Sequence, residues 1–127
     1  MEAGMKADEV RVLVVDDAPD SAEMLALVLE MDGYTVRAVH SAEEALQVVT
    51  QFAPLCVLID IHMPGLGGHG LTEQLRSLYG GDIVLIAVTG GGMADERISH
   101  SFAQFDHYLR KPVDMALLKK LLPPIDC

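Results

Sequence analysis

Val12-Leu13-Val14-Val15-Asp16-Asp17 is four apolar residues followed at once by two acids. Leu55-Cys56-Val57-Leu58-Ile59-Asp60 repeats the pattern, and Ile83 to Val88 runs into Thr89. Continuous apolar runs of this length, without alternation, are the pattern of strands buried on both faces of a parallel sheet. A fourth segment, Tyr108-Leu109-Arg110, runs into Lys111-Pro112. In an open parallel sheet the carboxyl ends of neighbouring strands converge on one crevice, and ligands bind there. Three carboxylates, a hydroxyl and an ammonium are therefore expected to share one small pocket.

Between these strands the pattern switches to helix. Asp17-Ala18-Pro19 is a helix start with Pro in the first turn, and Ala22, Leu25, Ala26 and Leu29 follow the i, i+3, i+4, i+7 stripe up to Gly33. Tyr34 to Val39 alternates weakly, as on an edge strand. Ser41-Ala42-Glu43-Glu44 is a capping box, with Ala42, Ala45, Leu46 and Val49 behind it. Met63-Pro64-Gly65-Leu66-Gly67-Gly68 leads to a helix with Leu71, Leu75 and Leu78, broken by Gly80-Gly81. A fourth helix is expected from about Ala94, with Ile98 and Phe102 inward. The last runs from Asp114, with Leu117, Leu118, Leu121 and Leu122 inward, and Pro123-Pro124 stops it. Five strands alternating with five helices imply an α/β, three-layer parallel sheet with helices on both faces.

The 127 residues suit one domain, placed at residues 10–122, with a loose lead at 1–9 and a short tail at 123–127. A formal charge of −10 argues against direct nucleic-acid binding, which needs clustered Lys and Arg. Cys56 lies in an apolar strand and Cys127 is the last residue. Two such thiols make no disulfide framework and fit a reducing compartment. No apolar run approaches the roughly 18 residues that span a membrane, and the first residues lack a signal peptide's apolar stretch. A cytoplasmic domain without a membrane partner is expected.

Adjacent acids such as Asp16 and Asp17 are common on any surface. Their place after one buried strand, with Asp60 after the next, is what singles them out. Three close carboxylates repel unless a cation intervenes, and hard oxygen ligands without His or Cys suit Mg²⁺. With a cation there, Asp60 becomes a candidate nucleophile toward a phosphoryl group. Lys111 would offset charge on the transferring oxygens, and Thr89 would donate a hydrogen bond to one of them.

These pieces together resemble a known family. Val14-Val15-Asp16-Asp17, Asp60-x-x-Met63-Pro64-Gly65 with Gly68 beyond, Thr89-Gly90, and Tyr108-Leu109-x-Lys111-Pro112 stand in the order of a response-regulator receiver domain, and the resemblance covers residues 11–122. The segment from Phe105 to Asp114 is most similar to receivers of hybrid histidine kinases. The resemblance implies a flavodoxin-like, doubly wound five-stranded sheet in the order 2-1-3-4-5. It implies that Asp60 accepts a phosphoryl group from a histidine kinase or a histidine phosphotransfer protein. Mg²⁺ would be held by Asp16, Asp17, Asp60 and the backbone carbonyl of His62. It further implies a cis peptide before Pro112 and a switch made of Thr89 and Tyr108. That switch would act on a face formed by the helix from Ala94, the strand at Tyr108 and the helix from Asp114, where a downstream protein would dock. Such a domain catalyses only its own phosphorylation and dephosphorylation.

Some positions depart from the pattern. His62 and His69 flank the pocket but lack zinc-ligand spacing, and His62 is a candidate for tuning phosphoryl loss. Gly91 leaves the loop after Thr89 without a side chain, and Gln104 stands where the family usually has Gly. Two other functions fit parts of the sequence. A degenerate receiver would act as a constitutive binding module, and an aspartyl-phosphate hydrolase would need a second acid where His62 stands.

Overall fold

The computed structural model describes residues 10–61, 67–89 and 105–122, the side chain of His69 excepted. The helix expected from Ala94, the Gly90-Gly91-Gly92 loop, Gln104, His62 and both ends of the chain lie outside the described residues.

The strands are β1 (Arg11–Val15), β2 (Thr35–Val39), β3 (Cys56–Asp60), β4 (Val84–Thr89) and β5 (His107–Arg110). The described helices are α1 (Pro19–Met31), α2 (Ala42–Phe52), α3 (Gly67–Tyr79) and α4 (Met115–Leu121), with a 3₁₀ turn at Gly80–Asp82. All strand pairs are parallel, in the order β2-β1-β3-β4-β5. This is the expected 2-1-3-4-5 sheet. β1, β3 and β4 are buried almost throughout, while β2 alternates and β5 is exposed except at Leu109, as edge strands are.

Because strand side chains alternate, the sheet has two cores. Leu13, Val15, Val57, Ile59, Leu85 and Ala87 face α2 and α3. Val12, Val14, Leu58, Ile86, Val88 and Leu109 face α1 and α4, where Ala22, Leu29 and Leu118 close over them. A residue at the end of a central strand is thus held by packing on both sides of the sheet.

Local chemistry sets the helix ends. The Ala18 N–H donates to Asp16 Oδ1 at 2.9 Å, so a side chain two residues upstream opens α1, with Pro19 in its first turn. Gly33, at φ 102, closes α1, and Tyr34 N–H reaches back to the Leu29 carbonyl at 3.1 Å. Ser41 Oγ accepts the Glu44 N–H at 3.0 Å, as a capping box requires. The return bond is displaced by one residue, since Glu44 Oε1 accepts from His40 N–H at 2.9 Å.

Two leucines differ from the sequence expectation. Leu78 is exposed because Tyr79 packs against the core as the chain tightens into the 3₁₀ turn. Leu117 is exposed because α4 has only seven residues, and its buried line runs through Leu118 to Leu122.

Candidate functional site

Asp16 follows β1 directly, Asp60 and Thr89 end β3 and β4, and Lys111 follows β5. Backbone bonds tie these ends together. Asp16 N–H donates to Val39 O at 3.1 Å, Ile61 N–H to Val88 O at 3.1 Å, and Lys111 N–H to Thr89 O at 2.8 Å. The register sets Asp60 beside Val88, so Thr89 stands one residue further along the neighbouring strand. Asp16, Asp60 and Thr89 are buried polar residues; Asp17 is exposed.

The carboxylates of Asp16, Asp17 and Asp60 each place an oxygen within 4.8 Å of the others. Lys111 Nζ lies 3.3 Å from Asp16 Oδ2 and 3.4 Å from Asp60 Oδ2. Burial alone would pull the Lys111 ammonium pKa down; the charges and hydrogen bonds of Asp60 and Asp16 outweigh it and hold the pKa above its ordinary value. The ammonium therefore stays charged and spans the two acids. Asp16 uses one oxygen toward Lys111 and the other to accept the Ala18 N–H ahead of α1, which fixes its orientation. The Lys111–Pro112 peptide is cis. The donor set is hard oxygen throughout, which is what Mg²⁺ takes and what zinc or copper does not favour.

Gly68 brings α3 against this site. A Cβ there would stand 2.7 Å from the Asp60 carbonyl oxygen and 2.9 Å from Ile61 Cα. Thr72 Oγ1 donates to Gly68 O at 2.7 Å inside the core, a bond within the first turns of α3. The tight packing of helix on strand end depends on the missing side chain.

Tyr108, the expected aromatic partner of Thr89, sits on edge strand β5 with its side chain exposed, level with Ala87 rather than in the pocket. His40, not picked out from the sequence, lies at the same sheet edge. Its Nδ1 is 3.3 Å from the Asp16 carbonyl oxygen and its Nε2 3.7 Å from Glu23 Oε2. The signal was present: His40 follows Val39 at the end of β2, where the strand-end rule applies as it does to the other strands. The Arg76–Asp106 pair was also missed. Arg76 Nη2 donates to Asp106 Oδ2 at 2.6 Å, and that oxygen also accepts Leu85 N–H at 2.8 Å. These residues stand 30 apart with no local pattern to join them.

Among the described residues, no helix is long and apolar enough to cross a membrane. Comparison with known proteins matches residues 12–123 to the response regulator receiver domain. The response regulator MprA of Mycobacterium ulcerans is 38% identical over 103 residues, covering 81% of this chain and 44% of MprA. The sensor histidine kinase RcsC of Salmonella typhimurium is 34% identical over 115 residues, covering 91% of this chain and 12% of RcsC. The chain thus spans less than half the length of these curated relatives. A CheY-like receiver domain protein from Methanospirillum hungatei superimposes with a TM-score of 0.77 at 31% identity, covering 88% of this chain and 90% of its own. TrrA from Thermotoga maritima, solved in complex with Mg²⁺ and BeF, superimposes with a TM-score of 0.78 at 30% identity, covering 88% of this chain and 95% of its own. The sheet order, the clustered acids at its carboxyl edge and these matches lead to one conclusion: the chain belongs to the response regulator receiver domain family of two-component signalling.

Proposed function

We propose that this receiver takes a phosphoryl group from a phosphohistidine onto Asp60 and relays the event as a change of surface. A carboxylate oxygen of Asp60 attacks phosphorus as the phosphorus–nitrogen bond breaks. The electron pair leaves with the donor imidazole, which takes a proton from water. Asp16, Asp17 and Asp60, with the backbone carbonyl of His62, would hold Mg²⁺. That ion supplies charge neutralisation for the phosphoryl oxygens. Lys111 adds a second positive charge, already aimed by its two carboxylate partners. The Thr89 hydroxyl donates to a phosphoryl oxygen, and the Tyr108 ring turns inward behind it.

The geometry that carries this reading is the ammonium of Lys111 within 3.4 Å of the Asp60 carboxylate, beside a cluster of three acids at the carboxyl edge of the sheet. TrrA, a structural relative, was captured with Mg²⁺ and BeF, a phosphoryl mimic, which supports the same chemistry here. The phosphodonor is a histidine kinase or a histidine phosphotransfer protein, as the match to RcsC suggests. The downstream protein docks on the face around Tyr108, and the domain works in the cytoplasm. Its catalysis is confined to its own phosphorylation and dephosphorylation.

Incubation with a panel of phosphohistidine-bearing donor proteins and Mg²⁺ tests the reading. Label is expected to move to the wild-type chain and not to Asp60→Asn. Tyr108→Ala should still accept label but lose the surface change, read as amide shifts around β5. Failure of the wild-type chain to take label from every donor and from acetyl phosphate would leave a constitutive binding module instead.

A further inference from the structure

A cleft of about 660 Å³ opens between α1 and the Lys111–Met115 segment, within the size range of small-molecule sites. Its polarity is graded. On α1, Asp20 and Ser21 line its upper end, and Met24, Leu25 and Val28 continue down the same helix face at i+4 spacing. From Asp20 to Val28 this face extends about 12 Å. On the sheet, Val14 lies two residues below Asp16 and Leu58 two below Asp60, so each acid has an apolar residue beneath it on the same face. Met115 forms the opposite wall. Lower down, α1 and α4 are joined by Lys119 Nζ, 3.5 Å from Asp32 Oδ2. The cleft is thus an apolar slot with an acidic mouth.

The charge of that mouth selects the occupant. Lys111 lies between Asp16 and Asp60, and its single positive charge does not cancel theirs when no metal ion is bound. Asp16, Asp60 and Asp20 exceed it by two negative charges, on a chain of formal charge −10. We propose that the cleft binds a small organic cation, an ammonium head at Asp16, Asp20 and Asp60 with an apolar body lying along Met24, Leu25 and Val28. Such a ligand shares two carboxylates with the metal site, so it and Mg²⁺ oppose each other's binding by the same factor. It would act as a brake on the acidic pocket by occupying Asp16 and Asp60 in place of the metal, while its apolar body lies along α1, away from the phosphoryl position. The binding itself does not depend on Asp60 accepting phosphate.

Methionine-methyl NMR tests the proposal with phenylbutylammonium, phenylbutanol and phenylbutyrate as ligands. The ammonium compound should shift the Met24 and Met115 methyls in a saturable way, binding about tenfold or more tighter than the alcohol or the carboxylate. Saturating Mg²⁺ should weaken it by about fivefold or more, with Mg²⁺ occupancy measured separately from amide shifts in the absence of the ammonium compound. Ser21→Lys, an exposed change at the mouth, should weaken the ammonium compound by about fivefold and leave the alcohol unaffected. Val28→Trp should abolish binding by filling the slot; Ser21→Lys carries the test if that variant does not fold. Equal binding of all three compounds, no saturable shift of Met24 or Met115, or indifference to bound Mg²⁺ would each overturn the proposal. Absence of Mg²⁺ binding would count against the metal reading alone, and the Ser21→Lys comparison would still decide this one.

Discussion

Adding one methyl group at Gly68 should damage this domain, and the size of the damage follows from three distances. The new Cβ would meet the Asp60 carbonyl oxygen at 2.7 Å, Ile61 Cα at 2.9 Å and Ile59 Cγ2 at 3.2 Å. Carbon contacts are at rest near 3.5–4.0 Å, so α3 and the end of β3 must part by roughly half an ångström or more. The two nearest atoms are backbone, so no flexible side chain can give way to relieve the contact. Overpacking of this kind costs about 1–3 kcal/mol. The better helix propensity of Ala recovers up to about 1 kcal/mol, less in a first turn. Gly68→Ala should therefore lose about 1–2 kcal/mol, read as a lower urea midpoint at unchanged slope. Because the displaced backbone is that of Asp60 and Ile61, Mg²⁺ affinity should fall as well. Gly81→Ala is the control, since nothing lies within 4 Å of a Cβ there and its φ is not positive. It should be neutral, or stabilising by up to about 1 kcal/mol through the unfolded chain. Equal midpoints for the two variants would refute the close-packing account of Gly68.

Four further outcomes are expected. Lys111→Met removes a cation from between two carboxylates, so Mg²⁺ should bind tighter by roughly 1 kcal/mol, a figure kept small because the side chain is one-third exposed; calorimetric titration reads it, and weaker binding would contradict the pairing. For Asp106, burial pulls the carboxyl pKa up, but the Leu85 N–H and Arg76 outweigh it and hold it below the ordinary value. Its contribution is therefore complete above the unfolded pKa near 4 and disappears as pH falls through the lower folded value; the stability gap to Asp106→Ala, about 1 kcal/mol after screening, should narrow below pH ~4 in urea titrations. Ser41→Ala loses the Glu44 N–H acceptor and should cost about 1 kcal/mol by the same assay. Burial pushes the Cys56 thiol up to about 12, so in a Cys127→Ser background a thiol reagent should label the native chain at least ~10³-fold more slowly than the urea-unfolded one.

The parts of this fold legible in the sequence are those set by local pattern. Apolar runs marked β1, β3 and β4, because a strand covered on both faces has no polar alternation to hide it. The strand-end acids followed at once, since chain direction in a parallel sheet puts every carboxyl end on one edge. Gly68 entered only through the resemblance to receiver domains, and its reason, a helix packed on a backbone carbonyl, is a three-dimensional fact. The double pairing of Lys111 joins residues 95 and 51 apart in sequence and has no local signature. Arg76 with Asp106 is hidden for the same cause. Leu117 misled because a leucine on a short helix satisfies the stripe without facing the sheet. The cleft beside α1 could not be read at all, because its walls come from two helices, three strands and a loop.

One carboxylate of the three, that of Asp60, is expected to be the phosphoacceptor. Treatment with acetyl phosphate and Mg²⁺, borohydride reduction of the acyl phosphate and peptide mapping by mass spectrometry decide which acid carried the group. One reduced residue per chain is expected, at Asp60, absent without Mg²⁺ and absent from Asp60→Asn. Reduction at Asp16 or Asp17 in the wild-type chain, or undiminished modification of Asp60→Asn, would contradict it.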